Sequence, residues 1–274
     1  MLLTTGNPKI AKGEGLGYLT SILHLAPARL SGYNTCPMAS KGCTFACLNT
    51  AGMGGIVKIG EDTNDIQNAR IQKTQWYFQN RETFMKQLTK DIYSAMRIAD
   101  KNNLIPAFRL NGTSDIRWEY SGIMDTFQNE IFYDYTAIPN RRDIPSNYHL
   151  TFSRKENNEH LIPEALANGM NVAVVFRKDG AKVKKIYTLA ERLANKEKRE
   201  KAIAKRDPNK PKKPYAPRKI DLSWVPETFY NVPVHNGDTS DLRFLDPKGV
   251  VVALLAKGQA KYDTSGFIVD IFTK

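Results

Sequence analysis

The stretch His149–Phe176, HLTFSRKENNEHLIPEALANGMNVAVVF, contains the pattern that decides the fold. A short apolar run at His149–Phe152 precedes a helical pattern at His160–Asn168, and a longer apolar run follows at Asn171–Phe176. Gly169 stands where a left-handed residue would end the helix before the second run begins. The stretch therefore predicts a strand, a helix and a second strand.

The same alternation extends over the rest of the chain. Apolar runs bounded by polar or turn residues predict five further strands, at Thr20–Leu25, Ile105–Leu110, Ile131–Ala137, Tyr230–Val234 and Val250–Leu255. A helical stripe covers Arg81–Asp100, with Asn80 as its N-cap. Strands that alternate with helices are typical of an α/β protein with a parallel sheet. We expect a partial (β/α) barrel in a single domain, with a doubly wound open sheet as the alternative.

The net charge of +12 belongs to one segment of the chain. Residues 177–219 contain 17 Lys or Arg and 5 Asp or Glu, which leaves 23 of each sign elsewhere. A basic amphipathic helix is predicted over Ala181–Arg206, and the proline-rich DPNKPKKPYAPRK follows at 207–219. We interpret 181–219 as a basic insertion between residues 1–180 and the C-terminal strands at 220–274. It either contacts nucleic acid or forms a solvated helix with a spacer.

The remaining composition is that of an ordinary globular protein. Apolar residues make up 41% of the chain and charged residues 25%. No apolar run approaches the ~20 residues that a membrane span needs. The first residues, MLLTTGNPKIAKGEG, lack the apolar core of a signal peptide. We therefore expect no membrane partner and a cytoplasmic location.

All three cysteines lie in one Gly-rich loop, with the spacing C-x6-C-x3-C at Cys36, Cys43 and Cys47. Three cysteines cannot pair completely, and thiolates bind soft metals. Three ligands without a fourth leave a coordination position open, which favours a [4Fe-4S] cluster with one free iron. The alternatives are a zinc site with His24 as its fourth ligand, and three unrelated thiols.

This loop resembles two known groups of proteins. Radical S-adenosylmethionine (SAM) enzymes have a three-cysteine loop after the first strand of a (β/α) barrel, although their common spacing is C-x3-C-x2-C. The motifs Asn34-Thr35-Cys36-Pro37, Gly42-Cys43 and Ala46-Cys47 resemble more closely the bacteriophage family labelled gene product 88. The resemblance implies a radical-SAM-like partial barrel that carries a [4Fe-4S] cluster, in the host cytoplasm if the protein is phage-encoded.

The resemblance also implies where SAM would bind. The strand Ile105–Leu110 ends where radical-SAM enzymes bind the methionine amino group, and a serine ends the strand His149–Phe152 where they contact the ribose or carboxylate. A carboxylate and a hydroxyl can accept hydrogen bonds from an ammonium group. The predicted cofactor-binding residues are Phe45, Asn111, Ser114, Asp115 and Ser153. An alternative role for Asp115 is that of a helix N-cap before Trp118.

A dense polar run follows the strand Tyr230–Val234 and contains Asp238, Asp241 and Arg243. Carboxylates and a guanidinium group at a strand end can bind a polar substrate or move protons, so we predict these three residues to be catalytic. The alternative is a turn with a structural Asp241–Arg243 pair. Tyr133 and Tyr135 alternate along a predicted strand, and we interpret them as packing residues.

Together these features favour an iron–sulfur enzyme of the radical-SAM type, supplied by an external electron donor. Its reduced cluster would cleave SAM to a radical that abstracts a hydrogen atom from the substrate. The basic insertion makes nucleic acid or a nucleotide the expected substrate. A non-catalytic iron–sulfur or zinc protein that associates with nucleic acid is the main alternative, and an open iron that acts as a Lewis acid without SAM is another.

Overall fold

The computed structural model describes residues 1–4, 13–178, 180–183, 188–205 and 224–271. Within these ranges the chain forms one ten-stranded sheet with helices and short 3₁₀ turns between its strands. The strands are β1 (Leu3–Thr4), β2 (Tyr18–Leu23), β3 (Ile105–Arg109), β4 (Ile131–Thr136), β5 (Tyr148–Ser153), β6 (Asn171–Lys178), β7 (Thr228–Phe229), β8 (Val232–Asn236), β9 (Val251–Leu255) and β10 (Val269–Ile271). The helices are α1 (Lys41–Phe45), α2 (Asp65–Gln79), α3 (Arg81–Lys101), α4 (Ile123–Thr126), α5 (Ile162–Ala167) and α6 (Leu189–Ala204).

The centre of the sheet is parallel, with the strand order β2-β3-β4-β5-β6-β9-β8. β1 and β7 add short antiparallel edges, and β10 pairs with the end of β6. All seven predicted strands are present, with ends displaced by two residues or fewer, so the predicted α/β class is confirmed. Across the described residues the sheet is open, so the predicted barrel is not confirmed, and β2 to β6 follow one another in chain order without the central reversal of a doubly wound sheet.

The sheet is curved. Residues from β3, β4, β5, β6 and β9, together with Gly237 directly after β8, line one cavity of about 250 Å³. In a flat sheet, strands about 4.8 Å apart would place β3 and β8 roughly 24 Å from each other. The sheet therefore curls around the cavity, and the outermost parallel strands, β2 and β8, form no ladder with each other in the described part of the chain.

One layer of helices covers the outer face of the curved sheet. Leu23, Phe108 and Phe132 point outward from three neighbouring strands and pack in one core cluster with Phe84 and Leu88 of α3. The predicted apolar stripe of α3 is confirmed, because Phe84 and Leu88 are buried. Its predicted N-cap is also confirmed, because the Asn80 side chain accepts the Thr83 N–H at 3.3 Å. α2 was not predicted, because the buried side of its sequence includes the polar residues Gln67 and Thr74 and shows no apolar stripe.

The unit β5-α5-β6 has the predicted order. The expected helix His160–Asn168 is shorter, because a 3₁₀ turn occupies Glu159–Leu161 before α5 begins. Gly169 has φ +76°, a left-handed conformation that ends the helix as expected. β5 and β6 then pair in parallel, with Thr151 opposite Asn171.

The basic helix begins later than predicted. Residues 181–183 are not helical, and α6 starts only after Thr188. The reason is a capping box, in which Thr188 and Glu191 each accept the other's backbone N–H. Residues 184–187 and the proline-rich stretch 207–219 lie outside the described residues. Across the described helices, none is long and apolar enough to span a bilayer.

Candidate functional site

The cavity lies at the carboxyl ends of the parallel strands, where the loops that follow them meet. This is the edge at which α/β sheets bind ligands. Nine predicted site residues line it: Cys36, Cys43, Cys47, Asn111, Ser114, Asp115, Ser153, Asp238 and Asp241. Two predicted residues are not among its lining residues, Phe45, whose surface is 44% exposed, and Arg243. Residues separated by up to 205 positions in the chain therefore meet at one place.

The cysteines come from three successive parts of the segment after β2. Cys36 lies in the loop, Cys43 lies in α1, and Cys47 begins the 3₁₀ turn that follows. All three are free thiols that are partly buried. The Sγ of Cys36 accepts the Ala28 N–H at 3.4 Å, and the Sγ of Cys47 accepts the Asn49 N–H at 3.5 Å. Two of the thiols thus already receive backbone hydrogen bonds.

Burial favours the neutral form of two of the thiols, Cys43 and Cys47. It raises the pKa of the Cys43 thiol, and it raises the pKa of the Cys47 thiol to about 12. A metal centre that binds here has to displace protons from the sulfurs. In the described part of the chain, no three or more His, Cys, Asp or Glu side chains lie close enough together to hold a single metal ion. His24, the alternative zinc ligand, is not among the residues that line the cavity.

The segment after β5 holds the cysteine segment in place. The carboxylate of Glu156 accepts the Gly42 N–H at 2.8 Å and the Ser40 hydroxyl at 2.7 Å, at the start of α1. The buried Lys155 donates from Nζ to the Met38 carbonyl at 2.6 Å. A side chain at Gly42 would place its Cβ 2.5 Å from the Cβ of Phe267, so only glycine allows this approach.

Replacing Glu156 with alanine should therefore loosen the segment that carries Cys43. We expect the free energy of unfolding to fall by about 1–3 kcal/mol, since two hydrogen bonds to a charged group are lost. Urea unfolding of the metal-free protein measures this change. Glu61→Ala, at an exposed position, is the control and should change the stability by less than about 0.5 kcal/mol. An equal effect of the two variants would contradict the role of Glu156.

Asn111 is a structural centre of the loop after β3. Its side-chain oxygen accepts hydrogen bonds from the Ser114 hydroxyl, the Ile116 N–H and the Trp118 indole. Its side-chain nitrogen donates to the Ile116 carbonyl and to the Asp134 carboxylate. The amide is thus fully engaged within the protein, and Asn111 acts by holding the loop rather than by offering its side chain to a ligand.

Only one of the two carboxylate oxygens of Asp115 accepts a hydrogen bond. Its Oδ2 accepts the Ala137 N–H at 2.9 Å. Its Oδ1 is buried and has no hydrogen-bond partner in the described residues, although Arg141 Nη1 lies 3.8 Å away. The N-cap interpretation of Asp115 is wrong, because the 3₁₀ turn at Trp118 follows Arg117 and has no side-chain cap. Asp115 is therefore part of the cavity wall, with its second oxygen directed toward Arg141.

The loop after β8 adds two ion pairs to the cavity. Asp241 pairs with Arg109 at 3.2 Å, and Asp238 pairs with Lys257 at 2.6 Å. The structural Asp241–Arg243 pair is not found among the described ion pairs, because Arg243 pairs instead with Asp246 at 3.2 Å. Arg243 also donates to the carbonyls of Gly237 and Ser240, so it stabilises the conformation of this loop.

The lining residues that were not predicted from the sequence include four polar or charged ones: Arg109, Tyr135, Lys155 and Lys257. The guanidinium carbon of Arg109 lies 4.8 Å from the centre of the Tyr135 ring. The interpretation of Tyr135 as a packing residue is therefore incomplete, since it also forms part of the cavity wall. Arg109 could have been predicted from the sequence, because it is a charged residue at the end of the apolar run IPAFR. A charge that is buried in this way needs a specific partner.

Asp134 should make stability depend on pH. Burial raises the pKa of its carboxyl to about 7, although Arg109, the Asn111 N–H and the Tyr148 hydroxyl act in the opposite direction. Because the unfolded carboxyl has a pKa near 4, the folded state retains this proton better, and the contribution to stability is lost as pH rises through about 7. We expect a loss of about 2 kcal/mol between pH 5.5 and 8, from ~1.5 pH units at 1.36 kcal/mol each.

Urea unfolding at the two pH values measures this loss, and Asp134→Asn is the reference without a titrating group. The free energy of unfolding of wild type minus that of the variant should fall by about 2 kcal/mol as pH rises from 5.5 to 8. A difference that is independent of pH would contradict the shifted pKa.

The fold and the site define a class of α/β protein with a single, mainly parallel sheet and a cysteine-lined cavity at the carboxyl ends of its strands. The chain belongs to the gene product 88 family, whose family model matches residues 1–271. No curated protein and no solved structure is significantly similar to it.

Proposed function

We propose that the chain is an iron–sulfur protein in which Cys36, Cys43 and Cys47 hold one [4Fe-4S] cluster in the cavity. The observation that carries this proposal is that all three cysteines, none of them in a disulfide, line the same cavity. Their donor set fits the cluster, since thiolates bind iron and backbone N–H groups to the sulfurs stabilise its negative charge. Three protein ligands would leave one iron of such a cluster open to a small molecule.

We propose SAM as that small molecule, in a partial barrel of the radical-SAM type. A bound, reduced cluster would supply the electron that breaks a carbon–sulfur bond of SAM, after reduction by an external donor. The chain's own part is to bind and orient. In this proposal the Asp115 carboxylate accepts an ammonium N–H, and the hydroxyls of Ser114 and Ser153, which also line the cavity, offer further polar contacts.

The rest of the wall suits a reaction that must be shielded from water. Apolar side chains from the cysteine segment, β6, β9 and the C-terminal part line the cavity: Ala46, Leu48, Val175, Leu254 and Phe267. Asp238 and Asp241 carry the proposed contacts to substrate, each already held by a cation. Arg243 is a positioning residue in this proposal, because it acts on the loop through carbonyl groups.

The test is reductive cleavage of SAM. Protein loaded with iron and sulfide under anaerobic conditions is mixed with SAM and dithionite, and 5′-deoxyadenosine and methionine are measured. We expect both products with wild type, and about tenfold less with Asp115→Asn at unchanged iron content, from the loss of one charge-assisted hydrogen bond. A fully loaded wild type that leaves SAM intact would refute the SAM proposal. A colourless protein with one zinc per chain would refute the cluster itself.

A further inference from the structure

The basic insertion leaves the sheet beside the mouth of the cavity. It follows β6, whose carboxyl end carries Arg177, and this side chain pairs with Asp270 at 2.6 Å and donates to the Asp263 carbonyl. The Lys182 N–H then donates to the Lys261 carbonyl at 3.0 Å. Lys261 belongs to the 3₁₀ turn Gly258–Tyr262, which also contributes to the cavity wall. The start of the insertion is therefore fixed at the same edge of the sheet as the cysteines.

The helix of the insertion presents a basic face to solvent. No residue of α6 is buried. Its acidic residues are already engaged, since Glu191 takes part in the capping box, Glu197 pairs with Lys201 at 2.6 Å, and Glu200 lies 3.9 Å from Lys196. The other cations of α6 and its C-cap form no ion pair with another described residue: Arg192, Lys198, Arg199 and Lys205.

These four cations fall on one side of the helix. Arg192 and Arg199 are seven residues apart, as are Lys198 and Lys205, so each pair lies nearly in line at about 10 Å along the axis. The two rows lie roughly 120° apart around the helix axis, on the side away from Glu197 and Glu200. A row of cations on an exposed helix is the arrangement that binds phosphate groups.

We propose that this face, Arg192, Lys198, Arg199 and Lys205, binds the phosphodiester backbone of a nucleic acid and holds it over the cavity mouth. The nucleic acid would then be the substrate of the cysteine site, and this part rests on the proposed function. Charge complementarity favours a phosphodiester chain over a membrane. The apolar stripe of α6, with Leu189, Leu193 and Ile203, is interrupted by the Lys196–Glu200 pair and contains no Trp or Phe.

The test compares two full-length variants in the binding of fluorescein-labelled single-stranded RNA and DNA by anisotropy at several salt concentrations. The first variant changes Arg192, Lys198, Arg199 and Lys205 to glutamine, which keeps helix propensity. The control removes four exposed cations of α3 by the changes Lys86→Gln, Lys90→Gln, Arg97→Gln and Lys101→Gln. Both variants lose the same charge, so a general electrostatic effect would weaken them equally.

We expect the α6 variant to bind at least about tenfold more weakly, with a salt slope smaller by roughly 2–3, at about 0.7 per phosphate contact. The α3 variant should stay within about twofold of wild type. Equal weakening of both variants, no binding by wild type, or binding only to phosphatidylserine vesicles would each overturn the proposal.

The placement of the nucleic acid over the cavity mouth can be measured separately, in protein without a cluster. A bound oligonucleotide should slow maleimide labelling of the cysteines at least about threefold in metal-free wild type, and not in the α6 variant at the same oligonucleotide concentration. Binding without any change in labelling would overturn the substrate assignment. Because neither experiment depends on iron, failure here is distinct from failure of the iron–sulfur proposal.

Discussion

Replacing Arg109 with methionine should lower the free energy of unfolding by about 3–5 kcal/mol, because it leaves the Asp241 carboxylate without its closest cation in a nearly buried site. The side chains of Arg109 and Asp241 are only 7% and 12% exposed, and their pair joins β3 to the loop after β8. Urea unfolding of the metal-free protein measures the loss. A charge that stays buried without its partner costs more than the pair contributes.

The double variant Arg109→Met/Asp241→Leu should lose less than Arg109→Met alone, since no charge is left uncompensated. Lys86→Met is the matched control. Lys86 pairs with Glu82 at the same kind of distance, 2.6 Å, but both side chains are more than two-thirds exposed. The Lys86→Met variant should lose less than about 1 kcal/mol of its free energy of unfolding. If Arg109→Met costs no more than Lys86→Met, the pair does not hold the two sides of the curved sheet together.

Replacing any one of the three cysteines with alanine should abolish stable metal loading. We expect iron to fall from about four per chain to below about one in Cys36→Ala, Cys43→Ala and Cys47→Ala, because two thiolates cannot retain a cubane that already has an open iron. Iron analysis after anaerobic loading and desalting measures the iron content, and the absorbance at about 400 nm reports the cluster.

Met53→Ala is the control for these variants, because it removes a sulfur from the same segment at a position that is 69% exposed. It should load as much iron as wild type. A cysteine variant that retains full loading would show that its thiol is not a ligand, and the account of the cavity would have to change.

The architecture of the sheet could be predicted from the sequence because its central parallel strands, such as β6 and β9, are buried on both faces. Such strands are continuous apolar runs, and polar residues mark their ends, as in Asn171–Lys178 and Val251–Leu255. The polar residues after these runs were found for the same reason, since loops at the carboxyl ends of parallel strands meet. Four separate segments of the chain, the cysteine loop and the residues that follow β3, β5 and β8, could thus be assigned to one edge before any distance was known.

What the sequence could not supply is the set of long-range contacts. Nothing in the local pattern pairs Arg109 with Asp241, which is 132 residues away, or directs Glu156 to the start of α1. Arg243 shows the converse case. Its position beside Asp241 suggested a shared role, but the turn between them directs Arg243 to Asp246 and away from the cavity. Proximity in sequence does not determine which way neighbouring side chains point in a loop.

The most direct test of the central claim is the iron and acid-labile sulfide content of wild-type protein purified without oxygen, measured together with its EPR spectrum after reduction. The account predicts about four irons and about four sulfides per chain, with the signal of a reduced cubane. A single tightly bound zinc, or a protein that takes up neither iron nor sulfide, would contradict it.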